Sequence, residues 1–249
     1  MYLRIFYALY FVIDFLVLIF ASKLHNSTSS TTKHIKIMTQ FEVHNLIIVD
    51  ASGSMTSIYE QALAGINETL STIREEAKKS DKIKQSVTVL SFASGVEPLQ
   101  YAYHNTPIWQ TSPLTPNDYT LRGMTALYDA IGISVTDLEK SIGKEDKVLV
   151  TIITDGYEND SREWNGASVK KLIDRLRKKG WVFTYIGANQ DAALEAGKIG
   201  VKNSLTFEAS IEGTISMFKR EKLSRQNWNE RVRRSESNLE ESYFSDDNH

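Results

Sequence analysis

The segment HNLIIV at residues 44–49 ends in four consecutive apolar residues, and the charged residue Asp50 follows directly. A continuous apolar run of this length predicts a strand buried on both faces, as in a parallel sheet covered by helices. Apolar residues then recur every three or four positions from Leu63 to Ala77, which predicts an amphipathic helix. A second apolar strand is predicted over residues 86–94. Strand, helix and strand in this order indicate an α/β fold.

The same alternation continues to about residue 220. Residues 99–105 follow the second strand too closely for a parallel crossover, which needs about a dozen residues, so an antiparallel pair is predicted there. The later segments are predicted as a helix over 127–142, a strand over 147–154, a helix over 166–179, strands over 181–188 and 203–207, and a helix from about 211. The whole pattern predicts a Rossmann-like, doubly wound, mostly parallel six-stranded sheet with one antiparallel edge strand and helices on both faces.

Composition limits the function classes. The 249 residues are 41% hydrophobic and 24% charged, which suits one ordinary α/β domain with tails. A net charge of −2 provides no basic field, so no nucleic-acid partner is predicted. The chain contains no cysteine, which excludes disulfides, thiolate zinc sites and cysteine nucleophiles.

The amino-terminal segment allows two interpretations. Residues 1–22 form a hydrophobic segment about long enough to cross a bilayer, which takes roughly 20 residues. No small-x-small cleavage site closes it and Asp14 lies in its middle, so an uncleaved membrane anchor is the better membrane interpretation. Alternatively Met38 is the true start. The protein is then membrane-anchored through residues 2–22 if residues 1–37 are translated, and cytoplasmic otherwise.

The remaining chain divides by composition. Residues 23–40 form a Ser/Thr-rich linker, residues 41–222 the predicted domain, and residues 223–249 a charged tail. Around that last boundary, residues 219–234 contain seven Lys or Arg against two Glu, whereas residues 235–249 contain five acidic residues and no Lys or Arg. Such a charge-divided tail could fold back on the domain, bind a partner or stay solvated, and a solvated tail is the default expectation.

Oxygen-bearing side chains follow two of the predicted strands. Ligands of open α/β sheets bind outside the carboxyl ends of the strands, and Asp50 and Asp155 each stand directly after a strand. Ser52 and Ser54 follow Asp50 closely, and Thr125 is predicted to begin a helix that opens on the same side. Carboxylates and hydroxyls are hard ligands that suit Mg²⁺ or Mn²⁺ and disfavour zinc or copper. The sequence therefore predicts a metal site at this edge.

These residues resemble the metal-ion-dependent adhesion site (MIDAS) of von Willebrand factor type A domains. The D-x-S-x-S pattern occupies residues 50–54, with Thr125 in RGMTALYDAIG and Asp155 in TIITDGYEND, and the resemblance extends over about residues 43–220. The resemblance implies that Asp50, Ser52, Ser54 and Thr125 approach the ion directly or through water. It also implies that Asp155 lies close to the ion, often with a water molecule between them. The stretches TDGYEND and GWVFTYIGANQD look like a bacterial stand-alone domain of this family.

The resemblance implies a protein-binding module in which an Asp or Glu of a partner completes the metal shell. Loops 105–124 and 156–166 surround the predicted crevice and carry aromatic and Arg residues of the types favoured at interfaces. For any single one of them, capping of the domain surface is the simpler explanation. The partner-binding candidates are Arg122, Tyr157, Glu158, Arg162 and Trp164, with Trp109 and Tyr119 in the same loops.

Two alternatives use the same crevice. A metal-dependent hydrolase needs a positioned base, and the five histidines show no pairing or metal spacing, so a non-enzymatic function is predicted. Asp129 is expected to be a hydrogen-bond partner or an exposed helix residue, not a metal ligand. The second alternative is a cytosolic assembly factor that recruits an ATPase-type partner.

Overall fold

The computed structural model describes residues 41–95 and 97–244, and one six-stranded sheet lies at its centre. The strands are β1 (Phe41–Asp50), β2 (Ile83–Phe92), β3 (Leu99–Pro107), β4 (Lys147–Thr154), β5 (Val182–Ala188) and β6 (Asn203–Phe207). They are arranged in the order β3-β2-β1-β4-β5-β6, in which only the edge strand β3 runs antiparallel to its neighbour. The predicted mostly parallel sheet with one antiparallel edge strand is confirmed.

Helices cover both faces of the sheet. They are α1 (Tyr59–Ala77), α2 (Leu127–Ser141), α3 (Gly166–Arg177), α4 (Ala192–Lys198) and α5 (Ile211–Arg233), with short 3-10 helices at Gly53–Ile58 and Ile108–Gln110. Successive side chains of a strand point to opposite faces. In β1, Leu46 and Ile48 therefore pack with α2, α3 and α4, whereas Ile47 and Val49 pack with α1 and α5.

The strand register brings the two predicted carboxylate segments together. Asp50 pairs with Phe92 of β2, and Val49 pairs with Ile153 of β4, so β1 and β4 end at the same edge of the sheet. The chain proceeds from β1 outward to β2 and β3, and from β4 outward to β5 and β6 on the other side. A crevice forms where the strand order reverses in this way.

Two local features differ from the sequence prediction. Helix α4 was not predicted, because seven residues are too few to show a helical period clearly. Its first turn is stabilised by Asp191, whose carboxylate accepts a hydrogen bond from the Leu194 amide at 3.0 Å. Thr125 lies in the turn before α2 rather than in the helix itself, since the helix begins at Leu127.

The expectation of a solvated tail from residue 223 is wrong for residues 223–244. Helix α5 continues to Arg233, and the side chains of Trp228 and Tyr243 are only 1% and 3% exposed. Both pack with Val43 at the amino-terminal end of β1. A count of charges does not show which face of a helix is buried, and here the buried face combines Trp228 and Val232 with the polar residues Ser224, Arg225 and Asn229.

A buried charged residue joins α5 to the middle of the sheet. Arg225 is fully buried, and its guanidinium donates to Asn45 Oδ1 at 2.7 Å, Thr151 Oγ1 at 2.9 Å and Glu221 Oε1 at 2.8 Å. Tyr243 donates its hydroxyl to the same Glu221 oxygen at 3.1 Å. We call these five residues the Arg225 cluster. Its hydrogen bonds fix the carboxyl-terminal helix against β1 and β4.

The predictions for residues 1–40 lie outside the described residues. They are the hydrophobic segment, the linker and the alternative start at Met38. Within the parts of the chain that the structure describes, no helix has both the length and the apolar character needed to cross a membrane.

Candidate functional site

Asp50 is held at the end of β1 by two hydrogen bonds to its carboxylate. The backbone amide of Ser52 donates to Oδ1 at 2.7 Å, and the Thr154 hydroxyl donates to Oδ2 at 2.6 Å. The side chain is fully buried. Thr154 is the last residue of β4, so the orientation of this carboxylate depends on the pairing of β1 with β4.

The two predicted serines connect Asp50 to Asp155. The Ser52 and Ser54 hydroxyl oxygens are 3.0 Å apart, and Ser54 donates its hydroxyl to Asp155 Oδ1 at 2.7 Å. The serines lie around the start of the 3-10 helix Gly53–Ile58, where the chain turns tightly after the strand. Four of the five predicted ligands therefore form one hydrogen-bonded group over two strand ends.

Thr125 is brought to the same place by the turn before α2. A Cβ atom built on Gly156 would lie 2.8 Å from Thr125 Oγ1 and 3.6 Å from Asp50 Oδ2, so both oxygens face this glycine. The Thr125 backbone is fixed by Asn159, whose side-chain oxygen accepts from the Thr125 amide at 2.9 Å and whose own amide donates to the Thr125 carbonyl at 3.0 Å. All five predicted ligands thus converge on one crevice.

The two carboxylates are placed where ionisation is unfavourable. Burial raises the pKa of Asp50, and hydrogen bonds from Thr154 and Ser52 offset part of this effect, while the nearby charge of Asp155 adds to it. Burial also raises the pKa of Asp155, offset in part by the bond from Ser54. Neither carboxylate forms an ion pair with a Lys or Arg among the described residues. A cation bound in the crevice would relieve this repulsion, which fits a metal site made of oxygen ligands.

A seam of hydrogen bonds joins residues 50–53 to residues 119–123. Tyr119 donates its hydroxyl to the Asp50 carbonyl at 2.6 Å, the Arg122 amide donates to the Ala51 carbonyl at 2.7 Å, and the Gly53 amide donates to the Gly123 carbonyl at 3.3 Å. Tyr119 is 1% exposed, so it cannot be the interface residue that its loop position indicated.

Two of the partner-binding candidates are occupied by internal contacts. The guanidinium of Arg122 donates to the carbonyls of Thr120 at 3.0 Å, Ser91 at 3.3 Å and Pro98 at 3.4 Å. The Glu158 carboxylate accepts from the Tyr128, Asp160 and Ser161 amides and from the Ser161 hydroxyl. These side chains organise the loops around the crevice.

The other candidates differ in exposure. Tyr157 is 56% exposed beside Gly156, and the Arg162 side chain is 83% exposed. Trp164 is partly buried and packs against the α2 side of the sheet. Trp109 is exposed but follows Pro107, which pairs with Ser86 near the amino-terminal end of β2, so it lies toward the opposite edge of the sheet.

Three residues that position the site escaped the sequence analysis or were assigned no definite role. Thr154 looked like one more strand residue, and Asn159 like a loop residue. Asp129 is buried and accepts from the backbone amides of Arg162, Glu163 and Trp164 at 2.8, 2.9 and 2.7 Å, which confirms it as a hydrogen-bond partner. A polar residue at the final position of a buried strand was the one signal that could have indicated Thr154.

The chain matches the family model of the von Willebrand factor type A domain over residues 46–220. No curated protein matches it.

Several solved structures are similar. Proximal thread matrix protein 1 from the mussel byssus, in a structure with a zinc-occupied MIDAS motif, has 16% identity and a TM-score of 0.47, with 72% of this chain and 44% of that chain covered. The PilB minor pilin from Streptococcus sanguinis has 13% identity and a TM-score of 0.53, with 76% and 62% covered. The SpRpn10 VWA domain has 12% identity and a TM-score of 0.51, with 71% and 93% covered. The match thus spans less than two thirds of the first two structures. At these identities, the last two, with TM-scores above 0.5, show the fold alone.

Proposed function

Because the chain belongs to the von Willebrand factor type A domain family, we propose that it is a protein-binding module that recognises a partner carboxylate at a Mg²⁺ or Mn²⁺ ion. The observation that carries the proposal is the convergence of five oxygen-bearing side chains on one crevice, at the edge where β1 and β4 end. The proposed ligands are Asp50, Ser52, Ser54, Thr125 and Asp155.

The spacing of the oxygen atoms supports this metal class. Neighbouring ligands of an octahedral ion with bonds of about 2.1 Å lie about 3.0 Å apart. The Ser52 and Ser54 hydroxyls are 3.0 Å apart, and the Ser54 hydroxyl is 2.7 Å from Asp155 Oδ1. Carboxylate and hydroxyl oxygens are also the hard ligands that Mg²⁺ and Mn²⁺ prefer.

The charge of the site explains how a partner would be recognised. Two carboxylates roughly balance a divalent ion and the three hydroxyls add no charge, so a bound ion remains attractive to one further carboxylate. Thr154 and Asn159 hold Asp50 and Thr125 in place before a partner arrives. The exposed side chains of loop 156–166 would then determine which carboxylate-bearing partner binds.

The exposed loop residues are our proposed specificity determinants. Tyr157 and Arg162 project from the loop that Glu158 and Asp129 organise, and both residue types are favoured in interfaces. Trp164, which is partly buried, would contribute through its remaining exposed edge. Arg122 and Glu158 would act by shaping the loops that carry the contacts.

The finer assignments from the sequence remain part of this proposal. They are the bacterial stand-alone type, attachment to a membrane through residues 2–22, and the choice of Mg²⁺ or Mn²⁺ in the cell.

The proposal is tested with the full chain in two steps. Isothermal titration with Mn²⁺ compares the wild type with Ser54→Ala, and Ser57→Ala serves as a matched control because Ser57 is exposed in the same 3-10 helix. We expect Ser54→Ala to bind about tenfold more weakly and the control to bind as the wild type does. A pull-down in Mg²⁺ and in EDTA then identifies proteins that only the metal-loaded wild type captures.

Two results would contradict the proposal. Wild-type protein that binds neither Mn²⁺ nor Mg²⁺ has no metal site, and a captured set that is the same in Mg²⁺ and EDTA shows that recognition does not use the ion. Turnover of generic phosphoesters that Asp50→Ala abolishes would favour the hydrolase alternative instead.

A further inference from the structure

The Tyr119 hydroxyl helps to join residues 50–54 to residues 119–125, two segments that together carry four of the five proposed ligands. Of the three hydrogen bonds between residues 50–53 and 119–123, two join backbone groups, and the third is donated by the Tyr119 hydroxyl to the Asp50 carbonyl at 2.6 Å. Met124 directly follows this seam and its carbonyl accepts from the Ser94 amide at 2.7 Å, and Thr125 is the next residue. The position of Asp50 relative to Thr125 therefore depends on this seam.

The phenol of Tyr119 is itself rigidly held. Its ring stacks on Tyr59 with ring centres 5.3 Å apart and planes inclined by 7°. Tyr59 donates its own hydroxyl to the Tyr119 carbonyl at 2.9 Å. Tyr59 begins α1 and Tyr119 is buried, so a helix end, a loop and a strand end are locked through two phenols.

We infer that Tyr119 is a positioning residue of the metal site, which sets the first carboxylate at the correct distance from Thr125 without contacting the ion. This inference rests on the proposed function. Some groups lie outside the coordination shell of a metal ion but hold its ligands in place. Removing such a group changes the metal affinity. The Tyr119 hydroxyl acts on Asp50 in this way, because its hydrogen bond to the Asp50 carbonyl fixes the backbone that carries the Asp50 carboxylate.

The test uses Tyr119→Phe, which keeps the stacked ring and removes only the hydroxyl. Mn²⁺ affinity is measured by titration, and the environment of the ion by its electron paramagnetic resonance line shape. We expect about a tenfold loss of affinity and an altered line shape. Tyr103→Phe is the matched control, because it deletes a phenol hydroxyl that donates to a backbone carbonyl, that of Ser112 at 2.8 Å, but leaves the bond to Asp50 intact. Its affinity is expected to remain within about twofold of the wild type, less than the effect of one hydrogen bond.

A purely structural role predicts a different result. Both variants would then lower the unfolding temperature similarly, while Mn²⁺ affinity and line shape measured well below that temperature would not change. Replacement of Tyr119 by para-aminophenylalanine restores a donor at the same position, and we expect it to recover the wild-type line shape. It also gives a folded protein for the comparison if Tyr119→Phe is unstable.

The outcomes separate this inference from the proposed function. If the wild type binds Mn²⁺ and Tyr119→Phe binds it equally well with the same line shape, Tyr119 is no positioning residue, and the metal site stands. If the wild type binds no Mn²⁺, both are overturned.

Discussion

Two polar regions lie on the same sheet, and they balance their charges in opposite ways. In the Arg225 cluster the guanidinium and the Glu221 carboxylate pair within the molecule, with a nitrogen-to-oxygen distance of 2.7 Å and side chains 0% and 1% exposed. In the crevice, Asp50 and Asp155 are held by hydroxyl and amide donors, and no Lys or Arg of the described residues pairs with them. The charges that join α5 to the sheet neutralise each other within the protein. The carboxylates of the crevice have no such partner within the described part of the chain, and an external cation would neutralise them.

The largest effect on folding is expected from breaking the Arg225 cluster. Arg225→Met leaves the Glu221 carboxylate buried without its cation, and we expect the free energy of unfolding to fall by about 3 to 5 kcal/mol. Mn²⁺ affinity of the folded fraction should not change. Urea unfolding followed by circular dichroism measures the first quantity.

The matched control for this prediction is Arg225→Met combined with Glu221→Leu. It removes both charges, and it should recover most of the stability. A double variant as unstable as the single one would show that the hydrogen bonds to Asn45 and Thr151 matter more than the ion pair.

Asp50→Asn should have the largest effect on metal binding and the opposite effect on folding. We expect Mn²⁺ affinity to fall by at least about a hundredfold, because one of two charged ligands is lost. In EDTA at neutral pH, however, the variant should be more stable than the wild type, since it no longer buries a carboxylate. A variant less stable than the wild type would show that the hydrogen bonds to the carboxylate outweigh its burial.

The same pair of proteins has a defined pH dependence. The unfolded chain titrates Asp50 near its ordinary value of 3.8, and burial raises the pKa in the folded state. Ionisation of Asp50 therefore lowers stability as the pH rises through the folded pKa, and has no effect below the unfolded value. The stability advantage of Asp50→Asn in EDTA should shrink as the pH is lowered from neutral. Unfolding curves at a series of pH values measure it, and an advantage that grows toward low pH would contradict the raised pKa.

Thr125→Val should weaken the metal site without disturbing the loops. Valine has the shape of threonine, and the bonds between residue 125 and Asn159 are made by the Thr125 backbone. We expect about a tenfold lower Mn²⁺ affinity from titration. Unchanged amide chemical shifts in the loop would show that the hydroxyl alone is responsible, and unchanged affinity would remove Thr125 from the ligand set.

The smallest effect is expected from an exposed ion pair on the same helix as Arg225. Lys222 pairs with Glu68 at 2.6 Å, with side chains 34% and 51% exposed. Lys222→Ala should change the free energy of unfolding by about 0.5 kcal/mol or less, because solvent screens such pairs. A loss comparable to that of Arg225→Met would show that burial does not explain the contrast between the two pairs.

Most of the fold could be predicted from the sequence because buried strands and amphipathic helices leave periodic apolar patterns. The antiparallel β3 followed from loop length alone, and it is confirmed. Helix α5 was misjudged beyond residue 222, since its charged residues concealed the buried positions Arg225, Trp228 and Val232. Nothing local in the sequence indicates that a basic residue will meet Asn45 and Thr151 inside the sheet.

The candidate ligands could be predicted because each stands at a strand end or just before a helix. The residues that hold these ligands and their loops in place could not be predicted. Tyr119 lies in a loop with no period, so its burial depends on the stack with Tyr59, which is distant in sequence. Glu158 looked like a contact residue because a charged loop side chain is usually solvated, and here four donors surround it.

The long sequence separation between the residues of the Arg225 cluster also affects how the chain folds during translation. Arg225 donates to Asn45, which lies 180 positions earlier in the chain. At translation rates of about 5 to 20 residues per second, β1 therefore waits roughly 10 to 40 seconds for the helix that completes its core. During that interval the nascent sheet offers an uncovered surface to chaperones, so the emerging chain is more vulnerable to aggregation than the finished domain.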